Sequence, residues 1–214
     1  MDRNTTKIYN LNCEDADMEQ LPINDTIFTT SKQLKTVFYL YGVINNNTIT
    51  PSILNNLRNI PNDSLLELRI NSPGGWVDYG MPMIHILKND MQERSLGVID
   101  GVAYSMAALI FRACSVRAVY PTSNMLLHTV SSSMEGKVPD VLEHAINSLD
   151  SAKYIMKSLF EDNFKERELD NILAGREYYL SAFDMLKRGI ANYIIIDGEF
   201  IKRKDYLKSV KKGK

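Results

Sequence analysis

Several short stretches of the chain carry groups suited to acyl transfer. Ser105 lies in Gly101-Val102-Ala103-Tyr104-Ser105-Met106-Ala107-Ala108, where a predicted strand gives way to an apolar helix. A hydroxyl there meets the positive end of the helix, and the next N–H, that of Met106, can face an oxyanion formed beside it. An isolated serine at a helix start is ordinarily an N-cap or a small buried residue, so it gains meaning only from its neighbours. His128 closes the apolar strand Met125-Leu126-Leu127. With an ordinary pKa near ~6.5, imidazole is the side chain best suited to take a proton from serine at neutral pH. Asn71-Ser72-Pro73-Gly74-Gly75 ends a strand just before a helix, and its glycines allow positive φ and leave N–H groups unobstructed. Alone, such a segment is an ordinary strand-to-helix turn. A third group must hold the imidazole in the right tautomer, and Glu177 and Asp184 are both candidates that residue type does not separate. His85 and His144 fall on predicted helices with no nucleophile nearby in sequence, and are expected to be structural or surface residues.

The elements that must position these groups alternate. TVFYLYG (36–42) is expected as a buried strand and TPSILNNLRNI as a helix with Pro51 near its start. LLELRIN (65–71) is a second strand, followed by a helix from about 77 to 89. SLGVIDG (95–101) leads into a helix from about 104 to 113, and strands follow near 116–120 and 124–128. This alternation predicts an α/β fold with right-handed crossovers. Val141, Ala145, Leu149, Ala152, Met156 and Leu159 recur every three or four residues and mark a long amphipathic helix over 138–164. The pattern alone fits a helix lying on its own sheet as well as one projecting to another subunit.

The chain has 214 residues, 44% of them hydrophobic, enough for one substantial core. Residues 1–35 are expected to form an arm or short hairpin, 36–200 the domain, and 201–214 a basic tail. That tail has seven basic residues in its last thirteen, a pattern usual for a solvated, frayed terminus. A net charge of −1 gives no global attraction to nucleic acid or anionic membrane. Cys13 and Cys114 have no CxxC spacing, which argues against a disulfide scaffold or zinc site and favours a reducing, cytosolic setting. The acidic, polar N-terminus lacks the pattern of a secretory signal, and the longest apolar stretch is too short to span a bilayer. Serine–histidine acyl transfer calls for no cofactor, and no GxxxxGK[ST] phosphate-binding segment is present.

Taken together, INSPGG, GVAYSMAA, MLLH, and YLSA followed by RGIAN resemble the proteolytic subunit of the Clp protease, the ClpP family, over residues 36 to 197. The resemblance implies Ser105 as nucleophile, His128 as base, and the N–H groups of Gly74 and Met106 as oxyanion donors. Glu177 falls where the family has an aspartate, one methylene shorter. The Thr129-Val130-Ser131-Ser132-Ser133-Met134 run also departs from the Gln-Pro and glycine-rich strand that follow the base in the family. The implied fold is the ClpP/crotonase-like spiral of β-α units, with 138–164 as a projecting handle. The implied assembly is a homo-oligomer of two stacked heptameric rings that cleaves unfolded protein or peptide inside a chamber, fed by an ATP-dependent unfoldase. Alternatives are a non-catalytic ClpP-like ring subunit, a phage head-maturation protease of the same family, and an acyl-CoA enzyme on the related crotonase fold.

Overall fold

Strand and helix alternate in the computed structural model much as the apolar periodicity dictates; it describes residues 35–131 and 135–212. The expected N-terminal arm lies outside the described residues. β1 (Lys35–Tyr41), β2 (Leu65–Ser72), β3 (Ser95–Tyr104) and β4 (Val116–Val119) pair in parallel in that order. β7 (Tyr193–Ile196) adds in parallel beside β4, and β8 (Glu199–Lys202) returns antiparallel along β7. β5 (Asn124–Leu127) leaves this path: it pairs in parallel with the far end of β3, at Val102–Tyr104, and antiparallel with β6 (Tyr178–Ser181). β3 therefore changes neighbours along its length, serving β4 first and β5 afterwards.

The crossovers are helical. α1 (Pro51–Arg58) starts on Thr50, whose hydroxyl accepts from the Ile53 N–H at 3.2 Å, with Pro51 where a missing N–H costs nothing. α2 (Val77–His85) runs into a π-helical turn at Ile86–Asp90, so the single helix expected over 77–89 has two hydrogen-bonding patterns. α3 (Met106–Ala113) begins two residues later than expected because Tyr104 still belongs to β3. α4 (Val138–Phe160), α5 (Glu166–Leu173), α6 (Ala182–Arg188) and α7 (Arg203–Lys212) complete the fold. This is the α/β class expected from the sequence.

Alternate positions Leu66, Leu68 and Ile70 of β2 face the main core, where they join Ile99 of β3 and Phe111 of α3. On the opposite sheet face a smaller cluster forms from Leu96, Val98, Val116, Ala118, Tyr193 and Ile195. β1 differs from expectation. It is the edge strand, and only Leu40 is buried, while Val37, Tyr39 and Tyr41 stay open on one face. Beside them Arg69 pairs with Asp100 and Glu67 and donates to the Tyr120 hydroxyl at 3.1 Å. Tyr41 donates to Asp100 at 2.7 Å, and this bond to a carboxylate pushes the phenol up to about 12.

The basic segment expected to fray instead continues β8 and forms α7. Arg203 anchors it by donating to the carbonyl oxygens of Leu186 and Lys187, the last turn of α6. α4 ends at Phe160, four residues short of the predicted span. Its C-terminal turns are buried through Met156, Leu159 and Phe160, while Val138, Leu142, Ile146 and Leu149 are exposed.

Candidate active site

The nucleophile candidate occupies the junction of β3 and α3. Ser105 has φ 54° and ψ −123°, a backbone conformation that L residues rarely adopt. Its N–H donates to the Leu126 carbonyl at 2.9 Å, fastening the turn to β5. Its side chain makes no capping bond to α3, so the hydroxyl is not used as the N-cap that a serine there would ordinarily supply. Met106 is the first residue of α3, and its N–H has no acceptor within the helix. The positive helix end and this N–H are thus presented together beside Ser105.

The Pro-Gly-Gly turn sits directly against that junction. A Cβ placed on Gly74 would lie 2.6 Å from the Tyr104 carbonyl oxygen, 2.7 Å from Ser105 Cβ and 3.1 Å from the Met106 nitrogen. Gly74 also has φ 93°, so glycine is required on both counts. Gly75 is packed as closely on the other side, where a Cβ would come within 2.2 Å of the Ile44 carbonyl oxygen. Ile44 holds the turn from both ends, donating to the Gly74 carbonyl at 2.8 Å and accepting from the Trp76 N–H at 2.9 Å. The Gly74 N–H donates to the Ser72 hydroxyl at 3.1 Å. An oxyanion bound to it must share or replace that neutral acceptor. Ser72 is buried, and its part in orienting the donor was not legible from its type.

His128 and Glu177 flank the end of one strand pair. The β5–β6 ladder pairs Leu126 with Tyr179 and Leu127 with Tyr178, and His128 and Glu177 are the next residues beyond its last pair. Directly opposed residues project to the same sheet face. On β3, Tyr104 pairs with Leu126, so Tyr104, Leu126 and Tyr179 form one cross-strand row; Ser105 follows Tyr104 directly, and His128 and Glu177 lie two residues beyond Leu126 and Tyr179. His128 and Ser105 are half-buried, and Glu177 is exposed. Among the described residues no hydrogen bond joins the three side chains; catalytic hydrogen bonds in free enzymes are often long and tighten when substrate binds.

Asp184, the other candidate orienter, is engaged elsewhere. Its carboxylate accepts from the Ser181 hydroxyl at 2.6 Å and the Ser181 N–H at 3.1 Å, and Ser181 caps α6 in return. Glu177 instead accepts from the Tyr179 hydroxyl at 3.2 Å. That donor was missed in the sequence, although its place two residues along a strand, on the same face, is a usable signal. His85 and His144 are exposed on α2 and α4. Cys114 is buried and free, with its thiol pushed up to about 12 by burial, so it is a poor nucleophile.

A hydroxyl on a strained turn with backbone N–H groups beside it, and an imidazole at the end of the neighbouring strand, are residue types that acyl transfer uses. Among the described residues no helix is long and apolar enough to cross a membrane. The family model for Clp protease matches residues 25–198, most of the chain, and extends the sequence resemblance toward the N-terminus. The chain, with its ClpP-like α/β fold, belongs to the Clp protease family.

Proposed function

We propose that the chain is a serine endopeptidase in which Ser105 attacks a peptide carbonyl while His128 takes its proton. The oxyanion accepts hydrogen bonds from the N–H groups of Met106 and Gly74, the latter exchanging its Ser72 acceptor for the stronger anionic one. Collapse expels the amine, which receives the proton from His128. Water then gives a proton to His128 as it attacks the acyl ester, and the acid product leaves with Ser105 restored. Glu177 orients the imidazole and stabilises its charged form.

The observation that carries this reading is Ser105 itself: a non-glycine residue at positive φ, its hydroxyl unused for capping, in contact with Gly74. Strain of that kind persists only when surrounding structure enforces it. A fluorophosphonate probe is expected to label wild-type Ser105 and to leave Ser105→Ala unlabelled, with hydrolysis of a fluorogenic peptide lost in parallel. Retained labelling in the alanine variant overturns the assignment.

The biological setting we infer is a cytoplasmic homo-oligomer of stacked heptameric rings receiving unfolded chains from an ATP-dependent unfoldase. The exposed apolar residues Val138, Leu142, Ile146 and Leu149 on α4 support an intersubunit role for that helix as a handle. A non-catalytic ring subunit is the second reading, favoured by the Gly74 N–H being turned to Ser72 and by the glutamate at position 177. Rings that resist every serine-directed probe would select it.

A further inference from the structure

We propose that Tyr179 is a positioning residue that holds the Glu177 carboxylate over His128; the inference rests on the serine peptidase reading above. Glu177 lies just beyond the last β5–β6 pair, as His128 does, but is exposed, and a glutamate side chain left in solvent samples many rotamers. One methylene more than aspartate makes that freedom larger at the place where orientation matters. The Tyr179 hydroxyl donates to Oε2 of Glu177 at 3.2 Å, and the proposal assigns the other oxygen, Oε1, to the imidazole. The donor is itself fixed. Its ring stands edge-on to that of Tyr104, with centroids 6.3 Å apart and planes at 83°.

Tyr104 is the residue before Ser105, and it lies in the same cross-strand row as Tyr179. A chain of contacts therefore runs from the nucleophile's own strand, through two aromatic rings and one hydrogen bond, to the group that orients the base. It references the far end of the triad to the near end. The bond to Glu177 raises the Tyr179 pKa, so the phenol remains a donor throughout the neutral range. The pairing also accounts for a 65% exposed tyrosine in a strand whose one other open position is Ser181.

The test is a double-mutant cycle on the assembled full-length protein, read by fluorophosphonate labelling rate and by kcat and KM on a fluorogenic peptide. Tyr179→Phe keeps the ring and removes only the donor. It is expected to lower kcat and the labelling rate about tenfold, less than the roughly hundredfold cost of a full ångström of misplacement, with KM and Tm unchanged. In a Glu177→Ala background the same substitution is expected to change neither rate. Wild-type rates in Tyr179→Phe, or an equal loss in both backgrounds, overturn the positioning role while leaving Ser105 as nucleophile. A wild-type protein that is not labelled at Ser105 overturns both.

Discussion

Holding a serine at φ 54° costs on the order of 1–3 kcal/mol, whereas glycine reaches positive φ freely. Ser105→Gly is therefore expected to raise the unfolding free energy by about 1 kcal/mol while abolishing fluorophosphonate labelling, which calorimetry and the probe check together. The opposite trade applies at Gly74. Gly74→Ala forces a Cβ against the Tyr104 carbonyl and Ser105 Cβ, and displaces the N–H proposed as an oxyanion donor. A loss of ~10²–10³-fold in kcat is expected, the usual effect of removing one such donor. Ser105, His128, Gly74 and Met106 stand out in sequence because they sit in contiguous motifs. Glu177 is preferred to Asp184 in sequence only through the family resemblance, and the capping box that occupies Asp184 shows only in three dimensions.

At the scale of elements, alternation and helical periodicity gave the β-α order through β5, but not the pairing. β1 carries the apolar content of a buried strand yet lies at an edge, and strand order depends on long-range contacts that local pattern does not contain. The basic C-terminal segment is tied down by Arg203, which reaches the Leu186 and Lys187 carbonyls at the end of α6, partners visible only in three dimensions. Two ties between elements are testable. Arg188 pairs with Glu168 at 2.8 Å and covers the Phe164 ring, and its hydrogen bonds hold the Glu168 carboxyl below its ordinary pKa. A depressed carboxylate pKa adds stability above the unfolded value near ~4.3, and that contribution disappears as pH falls through the lower folded value. Glu168→Gln should accordingly lower Tm at pH 7, with the gap to wild type closing below about pH 4. Arg117, buried on β4, donates to the carbonyl oxygens of Ile190, Cys114 and Ser115. Arg117→Ala leaves these buried acceptors unpaired, and an unfolding free energy lower by about 3 kcal/mol is expected from denaturant titration.

For the whole molecule, the main consequence lies in α4. Roughly its first five turns keep most of their side chains in solvent, and the open apolar positions Val138, Leu142, Ile146 and Leu149 recur along it. On the proposed assembly, Leu142→Asp with Ile146→Asp is expected to shift sedimentation velocity from larger to smaller species without lowering the Tm of the dissociated subunit, since both side chains are exposed. The amphipathic pattern announced this helix, but its open stripe became visible only once the buried contacts were confined to its end.

The stitching of Ile44 to the Pro-Gly-Gly turn has a mechanical meaning. Gly42 and Ile44, just beyond edge strand β1, bond to the Asn71 and Gly74 carbonyls, and Gly75 leaves no slack against Ile44. The edge of the sheet and the turn that carries Gly74 are thereby fastened into one unit, so the segment after β1 fixes where the Gly74 N–H stands.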